Sequence, residues 1–399
     1  MTDLHEQYMS RALELAQLGL YTTDPNPRVG CVIVKDGYII GEGFHEKAGE
    51  PHAEIHALRQ AGEQAKDATV YVTLEPCCHQ GKTPPCCDAL IQAGVKEVWA
   101  AMADPNPRVN GGGMNQLNEA GIQTHVGLLE ARAAELNPGY IKRMTQGLPW
   151  VRVKMAMSLD GRTAMESGES QWITGAAARE EVQRLRARSS AIITGVGTVL
   201  QDDPSLTVRV QDWQPPYPLP AEVKDNQQIA SSLQPSLAGQ LVRQPLRVLL
   251  DTHLRINFDY KIFQQPGKAL WVGTRTIKNL ARMRILEAEL EEEPVEWLLL
   301  EEMDDEHRVD LESLLRHLAS MGCNEVLVEA GATVAGAFIQ QQCVDELWLY
   351  IAPKLLGSSA QPLVQWSLEE LSEAVELQLK DMSVLGEDVR LIYQPKMTE

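Results

Sequence analysis

The chain has 399 residues, 44% of them hydrophobic and 23% charged, the profile of a water-soluble globular protein with room for two or three domains. Its net charge of −19, from 36 basic and 55 acidic residues, disfavours long nucleic acid as a partner, because affinity for phosphate backbones comes largely from Lys and Arg; a small anion in a local basic pocket stays open. The apolar run of about eighteen residues that a membrane helix needs is missing, and the polar start Met1-Thr2-Asp3-Leu4-His5-Glu6 lacks the basic-then-apolar form of a secretory leader.

Leu4, Tyr8, Leu13, Leu15 and Leu18 predict an opening helix over 4–18. Cys31-Val32-Ile33-Val34 and Tyr38-Ile39-Ile40 predict two strands, and the intervening Asp36-Gly37 predicts a tight hairpin. His52 to Ala61, after Pro51, predicts a helix, and 69–74 a strand that delivers Glu75-Pro76-Cys77. A helix over 88–93 and a strand over 97–101 follow. Strands alternating with helices indicate a layered α/β domain. Composition shifts between 137 and 149, which predicts one domain over 1–147 and a second over 148–399. The second is also α/β, with strands expected at 150–154, 191–193, 246–250, 269–272, 326–328 and 346–350. Residues 211–244, with Pro215, Pro216, Pro218 and Pro220 clustered, predict an exposed loop insertion. The acidic run from Glu287 to Glu306 predicts a solvated face.

Chemistry concentrates in His52-Ala53-Glu54, Pro76-Cys77 and Pro84-Pro85-Cys86. One imidazole and two thiolates suit zinc, and three protein ligands leave the fourth position open, as in catalytic rather than structural sites. The seven cysteines, with adjacent pairs Cys77-Cys78 and Cys86-Cys87, fit metal binding in a reducing cytoplasm better than a disulfide framework. Glu54 is the expected proton carrier for the open position. Residues two apart on a regular helix do not face each other, so His52 and Glu54 converge only at a helix start, which Pro51 allows. A rival pairs His52 with His56 at helical spacing, as in metalloproteases, but there the glutamate directly follows the first histidine. His56 is expected to be a packed or hydrogen-bonded helix residue, and Cys78 and Cys87 bystanders.

The His-x-Glu and Pro-Cys pattern resembles the nucleobase deaminases, although position 80 is Gln where the short motif has its second cysteine. The lengthened loop 77–86, with Asp24-Pro25-Asn26-Pro27-Arg28-Val29-Gly30, Gly43-Phe44-His45 and Asp104-Pro105-Asn106-Pro107, resembles the bifunctional deaminase/reductase family of riboflavin biosynthesis over nearly the whole chain. The resemblance implies a cytidine-deaminase-like three-layer α/β/α domain followed by a dihydrofolate-reductase-like α/β domain. It implies that His52, Cys77 and Cys86 bind zinc and that Glu54 shuttles protons. It also implies that Asn26, His45, His79 and Lys82 contact a phosphorylated ribosylaminopyrimidine, Lys82 as a phosphate partner.

In the second half, Lys154-Met155-Ala156-Met157-Ser158-Leu159-Asp160-Gly161-Arg162, Gly195-Val196-Gly197-Thr198 and Val328-Glu329-Ala330-Gly331 resemble the family's reductase. The last reads as strand, glycine turn and helix, which offers backbone N–H groups to a phosphate; alone, close helix–strand packing explains it equally well. The resemblance implies NADPH at Ala156, Trp172, Thr198, Asp202, Thr252 and the run Gly331, Ala332, Thr333, Val334, Ala335, Gly336 and Ala337. It implies substrate at Lys154, Ser170, Arg186, Leu206, Arg209 and Glu329, with Arg186 and Arg209 suited to hold phosphate as paired cations. Lys154 and bound water are both candidates for the proton that follows hydride transfer. The resemblance further implies a cytoplasmic homodimer. Two rivals stay open: a deaminase of free nucleosides or RNA bases fused to an unrelated reductase, against which the acidic charge argues, and a zinc-stabilised interaction module, against which Glu54 beside a full ligand set argues.

Overall fold

The computed structural model describes residues 2–79, 84–209, 242–288, 295–302 and 308–396. The chain divides into two compact units, the first over Met1–Leu148 and the second beginning at Pro149.

In the first unit, β1 (Gly30–Lys35) and β2 (Tyr38–Phe44) form an antiparallel hairpin. Asp36 and Gly37 both have positive φ, 53° and 83°, the pair that a two-residue turn matched to strand twist requires. β3 (Thr69–Val72) runs antiparallel to β1, and β4 (Glu97–Ala100) and β5 (Gln123–Val126) continue in parallel, giving the order β2-β1-β3-β4-β5. Alternation along β1 sends Cys31 and Ile33 to one face, where they bury against Ala53, Ala57 and Ala61 of α2 (Ala53–Ala61), Leu90 of α3 (Cys86–Ala93) and Leu117 of α4 (Gly112–Glu119). Val32 and Val34 turn to the other face, against Met9, Ala12 and Leu13 of α1 (Thr2–Gln17), Ala133 of α5 (Glu130–Leu136) and Tyr140 of α6 (Pro138–Gln146). The result is a three-layer α/β/α sandwich.

The second unit holds nine strands in the order β11-β10-β9-β8-β12-β6-β13-β16-β15. They are β6 (Trp150–Ser158), β8 (Ala191–Gly195), β9 (Leu246–Leu250), β10 (Ala269–Thr274), β11 (Val295–Leu300), β12 (Glu325–Val328), β13 (Glu346–Ala352), β15 (Leu377–Leu385) and β16 (Asp388–Pro395). The first seven in sheet order are parallel; β16 and β15 add an antiparallel hairpin. A small pair joins β7 (Arg162–Ala164) to β14 (Gln361–Pro362). The helices are α7 (Ala176–Arg188), α8 (Val196–Asp202), α9 (Lys261–Gln264), α10 (Ile277–Glu287), α11 (Leu311–Ser320) and α12 (Ala332–Gln340). β12 returns late in the chain to the slot between β8 and β6, the kind of topological switch at which open α/β sheets bind ligands.

One sequence expectation changes. The acidic run does not form one solvated face, because its Val295–Leu300 segment pairs with β10 as the sheet's outer strand. Most of the expected insertion, residues 210–241, lies outside the described residues, as does Lys82 in 80–83.

Candidate functional site

In the first unit, α2 approaches the sheet closely because Gly43 has no side chain: a Cβ there would lie 2.5 Å from the Ala53 carbonyl oxygen. This places the start of α2 over β2 and the adjoining start of β1. His52 is the residue before the first helical turn, with extended backbone at φ −75° and ψ 166°. Its ring therefore fans away from the helix while Glu54, in the first turn, is buried, which resolves the spacing conflict between the two.

The His52 Nδ1 atom lies 3.2 Å from Cys86 Sγ and 3.5 Å from Cys77 Sγ. Tetrahedral zinc separates its nitrogen and sulfur ligands by about 3.5 Å, so this donor set fits the ion. All three ligand atoms lie within 4.8 Å of one another. Cys86 opens α3, and its backbone N–H donates to Cys77 Sγ at 3.3 Å. Hydrogen bonding to Cys86, and then to His52, against the opposing effect of burial, holds the Cys77 thiol down at about 4. A thiolate at a helix N-terminus is favoured for the same reason.

Glu54 is 3% exposed, and burial pushes its carboxyl up from the ordinary range. Its Oε2 has no hydrogen-bond partner among the described residues, nor has the buried His79 Nδ1. Such orphaned atoms are costly unless a ligand or water meets them. Beside them, His45 donates from Nδ1 to the Pro51 carbonyl oxygen at 3.1 Å and accepts at Nε2 from the Asn26 amide at 3.0 Å. Burial holds His45 at about 4, which keeps it neutral and locks that tautomer. His56 is not hydrogen-bonded through Nε2 among the described residues; its Cβ packs over Gly43. Cys87 is a buried bystander whose thiol faces the carbonyls of Pro76 and Gly113.

Sequence reasoning passed over Glu75. This carboxylate is 3% exposed and accepts four backbone N–H bonds, from Asp104 and Gly111 at Oε2 and from Gly113 and Met114 at Oε1.

In the second unit, the matched residues gather at the C-terminal ends of the central parallel strands. Lys154 and Ala156 lie on β6, level with Trp348 and Tyr350 of β13. Glu329 follows β12 and forms a two-pronged ion pair with Arg186 of α7, at 2.6 Å and 2.9 Å. Burial opposes ionisation of Glu329, but Arg186 outweighs it and holds the carboxylate low. Lys154 Nζ lies 6.0 Å from the centre of the Tyr350 ring, and burial lowers its pKa. The expectation that Arg186 holds phosphate meets competing partners: its Nε and Nη2 donate to Glu329 and its Nη1 to the Thr207 carbonyl at 3.1 Å, which engages three of the five N–H groups of a guanidinium. Arg209, an electrostatic neighbour of both Arg186 and Glu329, is exposed.

Thr198 in the first turn of α8 accepts from the Gly331 N–H at 3.2 Å, which ties together the starts of two helices that follow adjacent strands. The first intrahelical bond of α12 runs from Ala335 N to Gly331 O, so the N–H groups of Ala332, Thr333 and Val334 remain for an anion such as a cofactor phosphate. These residues fit a dinucleotide. Ala335 and Gly336 are buried; Gly336 faces the Trp366 ring, and both serve packing. The Leu206 side chain is also in the core, which leaves only its backbone for a substrate. The Thr252 carbonyl is fixed by Asn279 and Thr274, Ser170 donates to Asp202 at 3.5 Å, and Trp172 is exposed with Arg179 stacked 4.7 Å from its ring centre.

Residues 2–102 match the cytidine and deoxycytidylate deaminase zinc-binding region, and residues 149–391 match the RibD C-terminal domain. The riboflavin biosynthesis protein RibD of Escherichia coli (strain K12) is 50% identical over 387 residues, which cover 97% of this chain and 98% of that one. The chain belongs to the RibD family. The Haemophilus influenzae RibD is 48% identical over 98% of this chain and 97% of its own. The solved RibD of Acinetobacter baumannii superposes with a TM-score of 0.84 at 43% identity, over the whole of both chains. A deaminase/reductase of Thermotoga maritima superposes at 0.80 and 32%, covering 99% of each chain. As a RibD-family protein the chain is a bifunctional enzyme of riboflavin biosynthesis, a zinc-dependent deaminase joined to an NADPH-dependent reductase. Among its described residues no helix is long and apolar enough to cross a membrane.

Proposed function

We propose that residues 1–147 hydrolyse the ring amine of 2,5-diamino-6-ribosylamino-4(3H)-pyrimidinone 5′-phosphate, and that residues 148–399 reduce the ribosyl group of the product, yielding 5-amino-6-(5-phosphoribitylamino)uracil. The observation that carries this reading is Glu54: a buried carboxylate with an unpartnered oxygen beside three ligand atoms spaced for zinc. When bound, zinc supplies the Lewis acid that acidifies water, and NADPH supplies hydride to the carbonyl carbon of the opened ribose.

Glu54 Oε2 takes the proton of the attacking water, passes it to the ring nitrogen and returns a proton to the departing ammonia. Its raised pKa suits both directions of transfer. Asn26, whose amide N–H is committed to His45, keeps its Oδ1 for an amine of the pyrimidine. His79 offers its unpaired Nδ1, and Lys82 pairs with the phosphate. In the reductase, Arg186 holds Glu329 toward the sugar hydroxyls, Ser170 and the Leu206 backbone line the same end, and Arg209 meets the phosphate. Lys154, its acidity increased by burial, holds the proton for the new hydroxyl. Ala156, Trp172, Thr198, Asp202, Thr252 and the turn 331–334 receive NADPH, with Ala335, Gly336 and Ala337 backing that turn.

The working state is a cytoplasmic homodimer. Among the described residues all seven cysteines are free thiols, and the outer strand β15 exposes Leu379, Met382 and Val384. Incubation with the diaminopyrimidine phosphate and NADPH, following ammonia and NADPH absorbance together, tests the function. One NADPH oxidised per ammonia released is expected; NADPH oxidation with no ammonia release overturns the order.

A further inference from the structure

Glu75 touches none of the three ligand atoms, and the proton path does not use it, yet it is among the most fully bonded carboxylates in the chain. We propose that Glu75 is a positioning residue of the deaminase centre, fixing the Pro76–Cys77 segment so that Cys77 Sγ meets His52 and Cys86 at ligand distance. The inference rests on the assignment of Cys77 as a zinc ligand.

A buried carboxylate costs several kcal/mol unless its lone pairs are met. Those of Glu75 are met by Asp104 N at 3.1 Å, Gly111 N at 3.0 Å, Gly113 N at 2.9 Å and Met114 N at 3.2 Å. Three of these donors belong to the start of α4, where the helix dipole also favours negative charge. The carboxylate thus clamps the segment after β3 onto the segment after β4. Pro76, with its fixed φ, transmits that clamp to Cys77 over a single residue. The fit is close: a Cβ on Gly113 would lie 2.0 Å from the Pro76 carbonyl oxygen. On its other side Cys77 is held by α3, its carbonyl accepting from Cys87 N at 3.2 Å. With both flanks fixed, the Cys77 sulfur has little freedom. Metal centres need their ligands held to within about 0.5 Å, and groups that orient ligands change metal affinity by about 10–100-fold when removed.

The test uses the full-length zinc-loaded enzyme and its Glu75→Gln and Cys77→Ser variants. Zinc release to a chromophoric chelator is followed well below the unfolding temperature, beside deaminase kcat and KM and the reductase rate. Gln keeps the shape but turns an N–H₂ group toward backbone donors. Glu75→Gln is expected to release zinc about 10–100-fold faster and to lower deaminase kcat with little change in KM, while the reductase rate holds. Zinc release at the wild-type rate overturns the proposal, even where the thermal midpoint falls, because a purely structural role lowers stability without loosening the metal. Zinc kept by Cys77→Ser overturns instead the ligand assignment beneath it. If Glu75→Gln cannot be recovered folded, Glu75→Asp, which keeps the charge but shortens the reach, decides by the same release assay.

Discussion

Glu54 and Arg186 show how much one side chain's partners decide. Glu54 has an oxygen with no partner among the described residues, which suits it to the proposed proton transfer. Glu54→Gln should leave zinc content at the wild-type level and lower ammonia release by about 10²–10⁴-fold, the usual worth of a general acid–base group; wild-type release in a coupled ammonia assay removes it from the role. Arg186 has each of its three guanidinium nitrogens bonded, on two protein acceptors, Glu329 and the Thr207 carbonyl. Arg186→Gln strands Glu329 beside Lys154 and should cost about 3–5 kcal/mol in urea unfolding, as when one partner of a buried pair is removed. The double variant with Glu329→Gln should recover most of that. A loss within experimental error, with a raised KM for the phosphorylated substrate, would return Arg186 to phosphate binding. The cluster of His52, Cys77 and Cys86 with the buried Glu54 was legible because local order around 52, 77 and 86 reveals it. Glu75 was not, since its four partners lie 29 to 39 residues away and nothing local marks it. The Arg186–Glu329 pair was hidden likewise by a separation of 143 residues.

At the scale of elements, the Asp36-Gly37 hairpin and the buried parallel strands were readable, because turn chemistry and continuous apolar runs are local signals. β15 and β16 were not. β15 is largely exposed along its length, and a bulge between Leu379 and Asp381 breaks its alternation. β11 was masked by the acids around it. Placement of α2 depends on Gly43, so Gly43→Ala drives a methyl into the Ala53 carbonyl and should cost about 1–3 kcal/mol, with zinc content falling because His52 and Glu54 move with the helix. Wild-type unfolding and metal content would show that α2 has slack. In the reductase, Asp160 ends the β6 turn by accepting from Ser158 Oγ and from the Gly357 and Leu356 N–H groups, which hold its pKa down at about 2. A carboxyl lowered on folding stabilises above its unfolded value of about 3.9, and that stabilisation is lost as pH falls through its folded value. Thermal melts should therefore show Asp160→Asn less stable than wild type at neutral pH, with the gap closing from about pH 4 downward. A gap independent of pH would assign the turn to shape rather than charge.

Across the whole molecule, two sheets with separate cores divide the chemistry. The first unit buries its own residues on both faces of five strands, and the second buries Trp271, Leu327 and Tyr350 in one cluster with Ala178, Val182 and Leu185 of α7. None of the zinc-ligand residues belongs to the second unit, and the residues matched to NADPH all do. The zinc centre also has no sequence-adjacent route into the reductase sheet: from Cys86 the chain completes β4, β5 and four helices, α3 to α6, before β6 begins at Trp150. Metal removal should therefore act on one reaction only. Chelation is expected to stop ammonia release from the diaminopyrimidine phosphate, while NADPH oxidation on substrate deaminated beforehand continues at its former rate. Restored zinc should return ammonia release without altering the second rate. If chelation instead abolishes both rates on their separate substrates, the two centres depend on each other, and the division that the two sheets imply does not hold in solution.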